Sequence, residues 1–259
     1  MSQLPHERVR VGVVDVWAVR EPDVVAHVVE GWRHGEGGAI VTANVDIVRA
    51  ATRDPALGAL VAESEVVVAD GMPVVWAGRL AGVPVPERVT GASLVFTLCE
   101  AAAREGRSVY LLGGNPGIPE KAAGVLCERY PKLRVAGTDS PPFGFHADPV
   151  LAAEAVAKVV EAKPDLVLVG LGFPKQERVI RMLRAELPQA WYLGCGAGIP
   201  MAAGEFKRAS GVVQKMGAEW VHRLALEPRR LAKRYLRDDL PFAVRLLAAA
   251  VKTRLGKGK

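Results

Sequence analysis

Short, nearly unbroken apolar runs recur along this chain, each stopped by a glycine or polar residue and followed by a stretch with helical rhythm. Ala39–Thr42, Glu65–Ala69, Ser108–Leu112, Asp165–Gly170 and Ala190–Gly194 are such runs. A strand that need not alternate apolar with polar residues is covered on both faces, and helices of this spacing supply the covers. Strands alternating with helices are joined as parallel neighbours through right-handed crossovers. The expected fold class is therefore α/β, and in an open sheet of this kind ligands sit beyond the carboxyl ends of the strands.

The remaining elements follow the same rhythm. Arg10–Val14 reads as a single strand, and Glu21–Arg33 as a helix carrying Val24, Val25, Val28, Val29 and Trp32 on one side. Val45–Leu60 reads as a helix interrupted near Asp54-Pro55. Met72–Leu80 is a helix with Pro73 in its first turn. Helices are expected over Ala92–Arg104, from Gly117 to about Glu128, over Val150–Ala162 and over Gln176–Glu186. Leu133–Gly137 has the weaker pattern of a short strand, and Asp139–Pro149 reads as a loop.

Composition removes several classes. Half of the residues are apolar and 24% charged, the balance of a globular chain rather than a disordered one. No apolar run approaches the roughly 20 residues that cross a bilayer, and the start lacks the pattern of a signal peptide, so a cytoplasmic location is expected. Cys99, Cys127 and Cys195 are far apart and read as small buried hydrophobes rather than a disulfide or zinc scaffold. His6, His34, His146 and His222 lack a second His or Cys at ligand spacing, and His27, with Asp23 and Glu30 a helical turn away as surface partners, lacks a second imidazole, so no metal site is expected.

The net charge of +6 is unevenly placed. From Pro228 to the end, ten Lys or Arg face only Asp238 and Asp239, a net of +8 that leaves everything before it slightly acidic. Such a patch suits an anionic membrane surface or another polyanion. Nucleic acid is the weaker reading, because no reader motif or stacking platform accompanies the cations.

Polar and glycine clusters punctuate the expected strand ends. Asp70, directly after an apolar strand, is placed either to act as a general base or to cap the next helix. Thr42 and Asn44 offer a hydroxyl and an amide to a ligand, or begin the following helix. Arg88 carries a planar fork for phosphate, with a salt bridge as its alternative. Gly113, Gly114 and Asn115 form either a phosphate-cradling turn or a plain one, and match neither a Walker loop nor a dinucleotide fingerprint. Lys175, Gln176 and Glu177 crowd one site opening, although Lys175 and Glu177 also suit a solvated ion pair.

Taken together, Thr42-Ala43-Asn44-Val45-Asp46, Ala69-Asp70-Gly71, Glu87-Arg88-Val89-Thr90-Gly91, Leu111-Leu112-Gly113-Gly114, Pro141-Pro142-Phe143, Gly170 through Glu177, and Glu219-Trp220 leading to Glu227-Pro228-Arg229-Arg230 and Arg234-Tyr235 resemble the WecG/TagA/CpsF family of bacterial glycosyltransferases, in the family's order and over nearly the whole chain. The resemblance implies a Rossmann-like, mostly parallel sheet flanked by helices, with a basic helical C-terminal appendage. It implies an inverting transfer of a sugar, N-acetylmannosamine or a relative, from a UDP-sugar to a polyprenyl-diphosphate-linked saccharide in cell-envelope polysaccharide synthesis. Asp70 is then the general base, and Thr42, Asn44, Arg88 and Gln176 line the pocket. Arg229, Arg230 and Arg234 match the cations of an appendage that attaches to the membrane and completes the site. After Lys207-Arg208-Ala209 the chain departs from the pattern, carrying Ser210 to Val213 where relatives have Pro and then a Trp-Met pair.

These readings divide the chain into a nucleotide-sugar-binding core over 1–210 and an appendage over 211–259. The expected enzyme is a metal-independent transferase without a cofactor, peripheral at the inner face of the cell membrane, with assembly as a homo-oligomer left open. The alternatives are a nucleotide-sugar hydrolase or epimerase, and a nucleotide-sugar-binding protein without catalysis.

Overall fold

The computed structural model describes residues 7–205, 224 and 232–256. Eight strands, β1 (Arg8–Val11), β2 (Val14–Trp17), β3 (Gly38–Ala43), β4 (Val66–Ala69), β5 (Ser108–Leu112), β6 (Arg134–Asp139), β7 (Leu166–Val169) and β8 (Trp191–Gly194), form one sheet. Their order is β1-β2-β4-β3-β8-β7-β5-β6. Among the described residues only β1 and β2 pair antiparallel.

That hairpin corrects the single strand expected over Arg10–Val14. Gly12, at φ +63°, and Val13 make a two-residue turn, so that Val11 faces Val14 and Arg8 faces Trp17. A two-residue hairpin needs positive φ in its turn, which glycine adopts without a Cβ clash. The strands then alternate, with Val9, Val11, Val14 and Val16 buried and Arg8, Arg10 and Asp15 exposed.

Helices cover both faces. On one face α1 (Glu21–His34), α5 (Gly91–Glu105), α6 (Ile118–Arg129) and α9 (Gly198–Ala202) close a core containing Ile40, Val68, Leu111, Leu168 and Leu193. On the other face α2 (Val45–Arg53), α3 (Pro55–Ala62) and α4 (Met72–Leu80) cover the β3–β4 side. There α7 (Pro149–Ala162) and α8 (Lys175–Glu186) cover Tyr110, Val167, Val169 and Tyr192. The interruption expected at Asp54-Pro55 is real: Asp54 ends α2 and caps α3 by accepting from the Ala56 N–H at 2.9 Å. The run expected as a loop from Asp139 begins with the last residue of β6 and includes a 3₁₀ turn over Phe145–Ala147.

The C-terminal segment ends in α10 (Leu240–Gly256), entered through a π-helical stretch over Lys233–Asp239. One side of α10 is core: Ala243 and Leu246 are buried with the β1–β2 hairpin and α4. A Cβ on Gly12 would lie 3.3 Å from the Leu246 side chain, so the hairpin turn has little room for anything larger. Arg49 of α2 pairs with both Asp46 and Asp239, the latter at 3.1 Å, and so ties the π-helical stretch to the core. The opposite side of this segment leaves Leu236, Leu240, Val244, Val251 and Leu255 exposed. Among the described residues no helix is long and apolar enough to cross a membrane.

Candidate active site

The parallel strands all end on one edge, and backbone hydrogen bonds continue past them. Asp70 N–H donates to Ala43 O and Val89 N–H to Ala69 O, both at 2.9 Å. These bonds bring Asp70, Asn44 and the segment carrying Arg88 together at the ends of β3 and β4. Farther along, Cys195 N–H donates to Val169 O at 3.0 Å and Gly170 N–H to Leu112 O at 2.8 Å, knitting the ends of β8, β7 and β5.

Asp70 is partly buried, and the N-cap of α4 is the next residue, Gly71, at φ +100°. Asp70 therefore stands one residue before the cap rather than in it. Asn44 does fill its helix-starting role: its Oδ1 accepts from the Ile47 N–H at 3.0 Å, which leaves the amide NH₂ for another partner. Thr42 is buried beneath the start of α5, where a Cβ on Gly91 would lie 3.3 Å from its hydroxyl and 3.1 Å from the Cys195 backbone. Arg88 is partly buried on the connection that delivers the chain to α5. Its neighbour Glu87 accepts from the Glu21 N–H at 2.7 Å and serves the fold.

The glycine turn is arranged differently from the sequence expectation. Gly113 and Gly114 have φ of +105° and +96°, but the Gly113 N–H donates to Asp139 O at 2.9 Å and is not presented to a ligand. The Gly114 carbonyl accepts from Ser140 Oγ at 2.8 Å, and Asn115 is exposed. The turn follows β5, four strands from β4 in the sheet order. At ~4.8 Å per strand, about 19 Å separates it from Asp70.

Lys175, Gln176 and Glu177 also separate. Lys175 lies over the ring of the fully exposed Phe143, 5.3 Å from its centre, so the solvated Lys175–Glu177 pair does not form. Gln176 and Glu177 are each 4% exposed. Gln176 Oε1 accepts from the N–H groups of both Gly172 and Gly196 at 3.1 Å, and its Nε2 donates to Glu177 Oε1 at 2.9 Å. Glu177 Oε2 is buried without a hydrogen-bond partner, and desolvation pushes this carboxyl up to about 7.

Two parts of this edge were given no site role from the sequence. Gly194-Cys195-Gly196, which ends β8, carries the same glycine signal as the other strand ends and packs against the start of α5. Thr90, whose hydroxyl oxygen accepts from the Ser93 N–H at 3.0 Å, aims the first turn of α5 at the same place. Among the described residues no three His, Cys, Asp or Glu side chains gather as a metal site. Cys99 and Cys195 are buried free thiols, Cys195 pushed by burial up to about 12, and Cys127 is partly buried. Arg229, Arg230, Glu219, Trp220 and Ser210 to Val213 lie outside the described residues, as does the side chain of Arg234.

Comparison with known proteins places this edge in context. Residues 9–256 match the model of the glycosyl transferase WecG/TagA/CpsF family. The chain is 33% identical over 221 residues to the N-acetylglucosaminyldiphosphoundecaprenol N-acetyl-beta-D-mannosaminyltransferase of Staphylococcus aureus strain MRSA252, covering 85% of this chain and 83% of that one. It is 32% identical over the same length to the protein of that name from strain NCTC 8325 / PS 47. The chain belongs to the WecG/TagA/CpsF family of glycosyltransferases.

Proposed function

We propose that this protein transfers N-acetylmannosamine, or a closely related sugar, from a UDP-sugar to N-acetylglucosaminyl-diphospho-undecaprenol or a similar polyprenyl-linked acceptor, with inversion and without a metal ion. The observation that carries this reading is the meeting of Asp70, Asn44 and Arg88 at one strand edge in a chain of this family. Asp70 takes the proton from the acceptor hydroxyl as its oxygen bonds to the anomeric carbon. The bond from that carbon to the diphosphate breaks on the opposite face, and UDP leaves with the charge that Arg88 receives. Asn44 orients the sugar from the end of β3, with Thr42 buried beside it under the start of α5. Gly114, Asn115 and Lys175 are assigned to the distant end of an extended donor, because the sheet separates them from Asp70.

The C-terminal segment is assigned to the anionic membrane surface that displays the acceptor, at the cytoplasmic face. The apolar row from Leu236 to Leu255 is exposed beside the exposed Arg237, Arg245, Lys252 and Arg254, a pattern that suits a lipid interface. Arg229, Arg230 and Arg234 are assigned to closing the site over the donor phosphates, and the final polymer is an envelope polysaccharide.

The test incubates the protein with UDP-N-acetylmannosamine, with and without a short-chain N-acetylglucosaminyl-diphospho-polyprenol. Acceptor-dependent UDP release with a disaccharide-lipid product is expected. Equal UDP release without acceptor indicates a hydrolase, sugar isomerisation without UDP release an epimerase, and donor binding with no product a binding protein.

A further inference from the structure

Two loops frame the middle of the site edge, anchored by Leu171 and Phe173 in one and by the buried Cys195 in the other. The loop after β7 runs through Gly170, Leu171 and Gly172 to a cis Phe173-Pro174 bond, and the loop after β8 runs through Cys195 and Gly196. Beyond the backbone bond from Cys195 N–H to Val169 O, they are joined by the Gln176 amide, whose oxygen collects one N–H from each loop. Two converging N–H donors require that atom to be the oxygen, and the carboxylate at 2.9 Å from the other end requires the nitrogen there. An amide turned over by half a rotation would set its NH₂ against both backbone donors and lose three hydrogen bonds at once.

Glu177 fixes the nitrogen end of the same amide and so adds to the hold that the two backbone donors have on its oxygen. It is buried at a cost, since one carboxyl oxygen has no partner, and such a group reduces stability rather than adding to it. Its other oxygen is the acceptor that fixes Gln176 Nε2. The backbone makes room for the pair: a Cβ on Gly194 would lie 2.5 Å from Gln176 Nε2 and 3.2 Å from Glu177 Oε1. The β8 loop held in this way rests against Gly91 at the start of α5, directly after Arg88-Val89-Thr90.

We propose that Glu177 is a positioning residue that locks the Gln176 amide, so that Gln176 clasps the β7 and β8 loops and holds the start of α5 in register with the donor pocket. This rests on the transferase reading for its effect on turnover, while the clasp itself is independent of it. Glu177 acts through Gln176 and touches no substrate.

Three variants test it by two readouts. E177Q keeps an oxygen that accepts from Gln176 Nε2, E177L removes the acceptor, and G194A displaces the Gln176 amide through the flexible end of a side chain. Amide hydrogen exchange at Gly172 and Gly196 should quicken by roughly 10-fold or more in E177L and G194A and stay near wild type in E177Q. The kcat/KM for the UDP-sugar should follow the same ranking, with a similar loss in E177L and G194A and rescue in E177Q. Wild-type protection of both glycines in G194A or in a cooperatively folding E177L overturns the clasp. A fall in turnover in E177Q matching that in E177L, with protection intact, overturns it in favour of a proton-carrying role. Absence of transfer by the wild type removes the functional reading, and the exchange ranking then decides the clasp alone.

Discussion

The two sides of the sheet's carboxyl edge hold nearly the same polar inventory and use it in opposite ways. At β3 and β4 a carboxylate and a carboxamide, Asp70 and Asn44, are both partly exposed, and the amide has one end left over after capping α2. At β7 and β8 a carboxylate and a carboxamide, Glu177 and Gln176, are buried, and the amide uses both ends on the protein. One extra methylene and the first turn of α8 carry the second pair inward. A residue type therefore does not declare a role; its exposure after folding does. The open pair is suited to meet substrate, and the closed pair to hold the walls that substrate meets.

The comparison breaks most visibly at Asp70. Asp70→Asn should leave the fold and donor binding intact while lowering acceptor-dependent transfer by roughly 100-fold or more, the loss expected when a general base is removed. Calorimetry with the donor and UDP release with the acceptor measure the two effects separately. Turnover at the wild-type rate would take Asp70 out of the chemistry and erase the distinction between the two sides.

The buried side should show itself in stability instead. Below pH 4.5 Glu177 is protonated in both the folded and unfolded chains. Above that value the unfolded chain loses the proton first, so stability falls as pH rises toward about 7, where the folded carboxyl also ionises, and then levels. The difference corresponds to about 3 kcal/mol. Urea unfolding from pH 5 to 8 should show this decline in wild type and a flatter profile in E177Q. Parallel profiles would mean that Glu177 keeps one protonation state throughout.

Arg88 lies on the open side by position, and Arg88→Ala should reduce kcat/KM by roughly 10- to 100-fold, the range for a hydrogen bond to a charged group. A loss confined to KM would place the guanidinium on the bound donor alone, whereas a loss in kcat as well would tie it to the departing phosphate.

Much of this architecture is legible in the chain, for local reasons. Met72–Leu80 and Ser108–Leu112 coincide with the expected segments because Pro73, the preceding glycine and the closing glycines are boundary signals acting over a few residues. The β1–β2 hairpin escaped because Gly12 sits inside an apolar run, where alternation on both sides was the readable sign. At the site, Asp70, Asn44 and Arg88 stand out by strand-end position. The inward turn of Gln176 and Glu177 does not, because Pro-Lys-Gln-Glu reads as a polar helix start and its burial depends on Gly194, Gly172 and Gly196 arriving from separate loops. The separation of Asp70 from the glycine turn is likewise a property of strand order, which no local pattern carries.

The smallest expected effect is also the finest test of the contrast, because Asn44 does structural and ligand-facing work with opposite ends of one side chain. Its oxygen accepts from the Ile47 N–H, so Asn44→Ala should cost about 1 kcal/mol of stability through loss of the cap. Asn44→Ser restores a capping oxygen but removes the amide NH₂. Its stability should therefore return to within about 0.5 kcal/mol of wild type. If the NH₂ meets the sugar, transfer by Asn44→Ser should remain several-fold low, as for one hydrogen bond of about 1 kcal/mol. Chemical denaturation and steady-state kinetics on the same two variants separate the ends. Full recovery of both stability and transfer in Asn44→Ser would assign Asn44 wholly to the helix start, leaving Asp70 and Arg88 to define the open side.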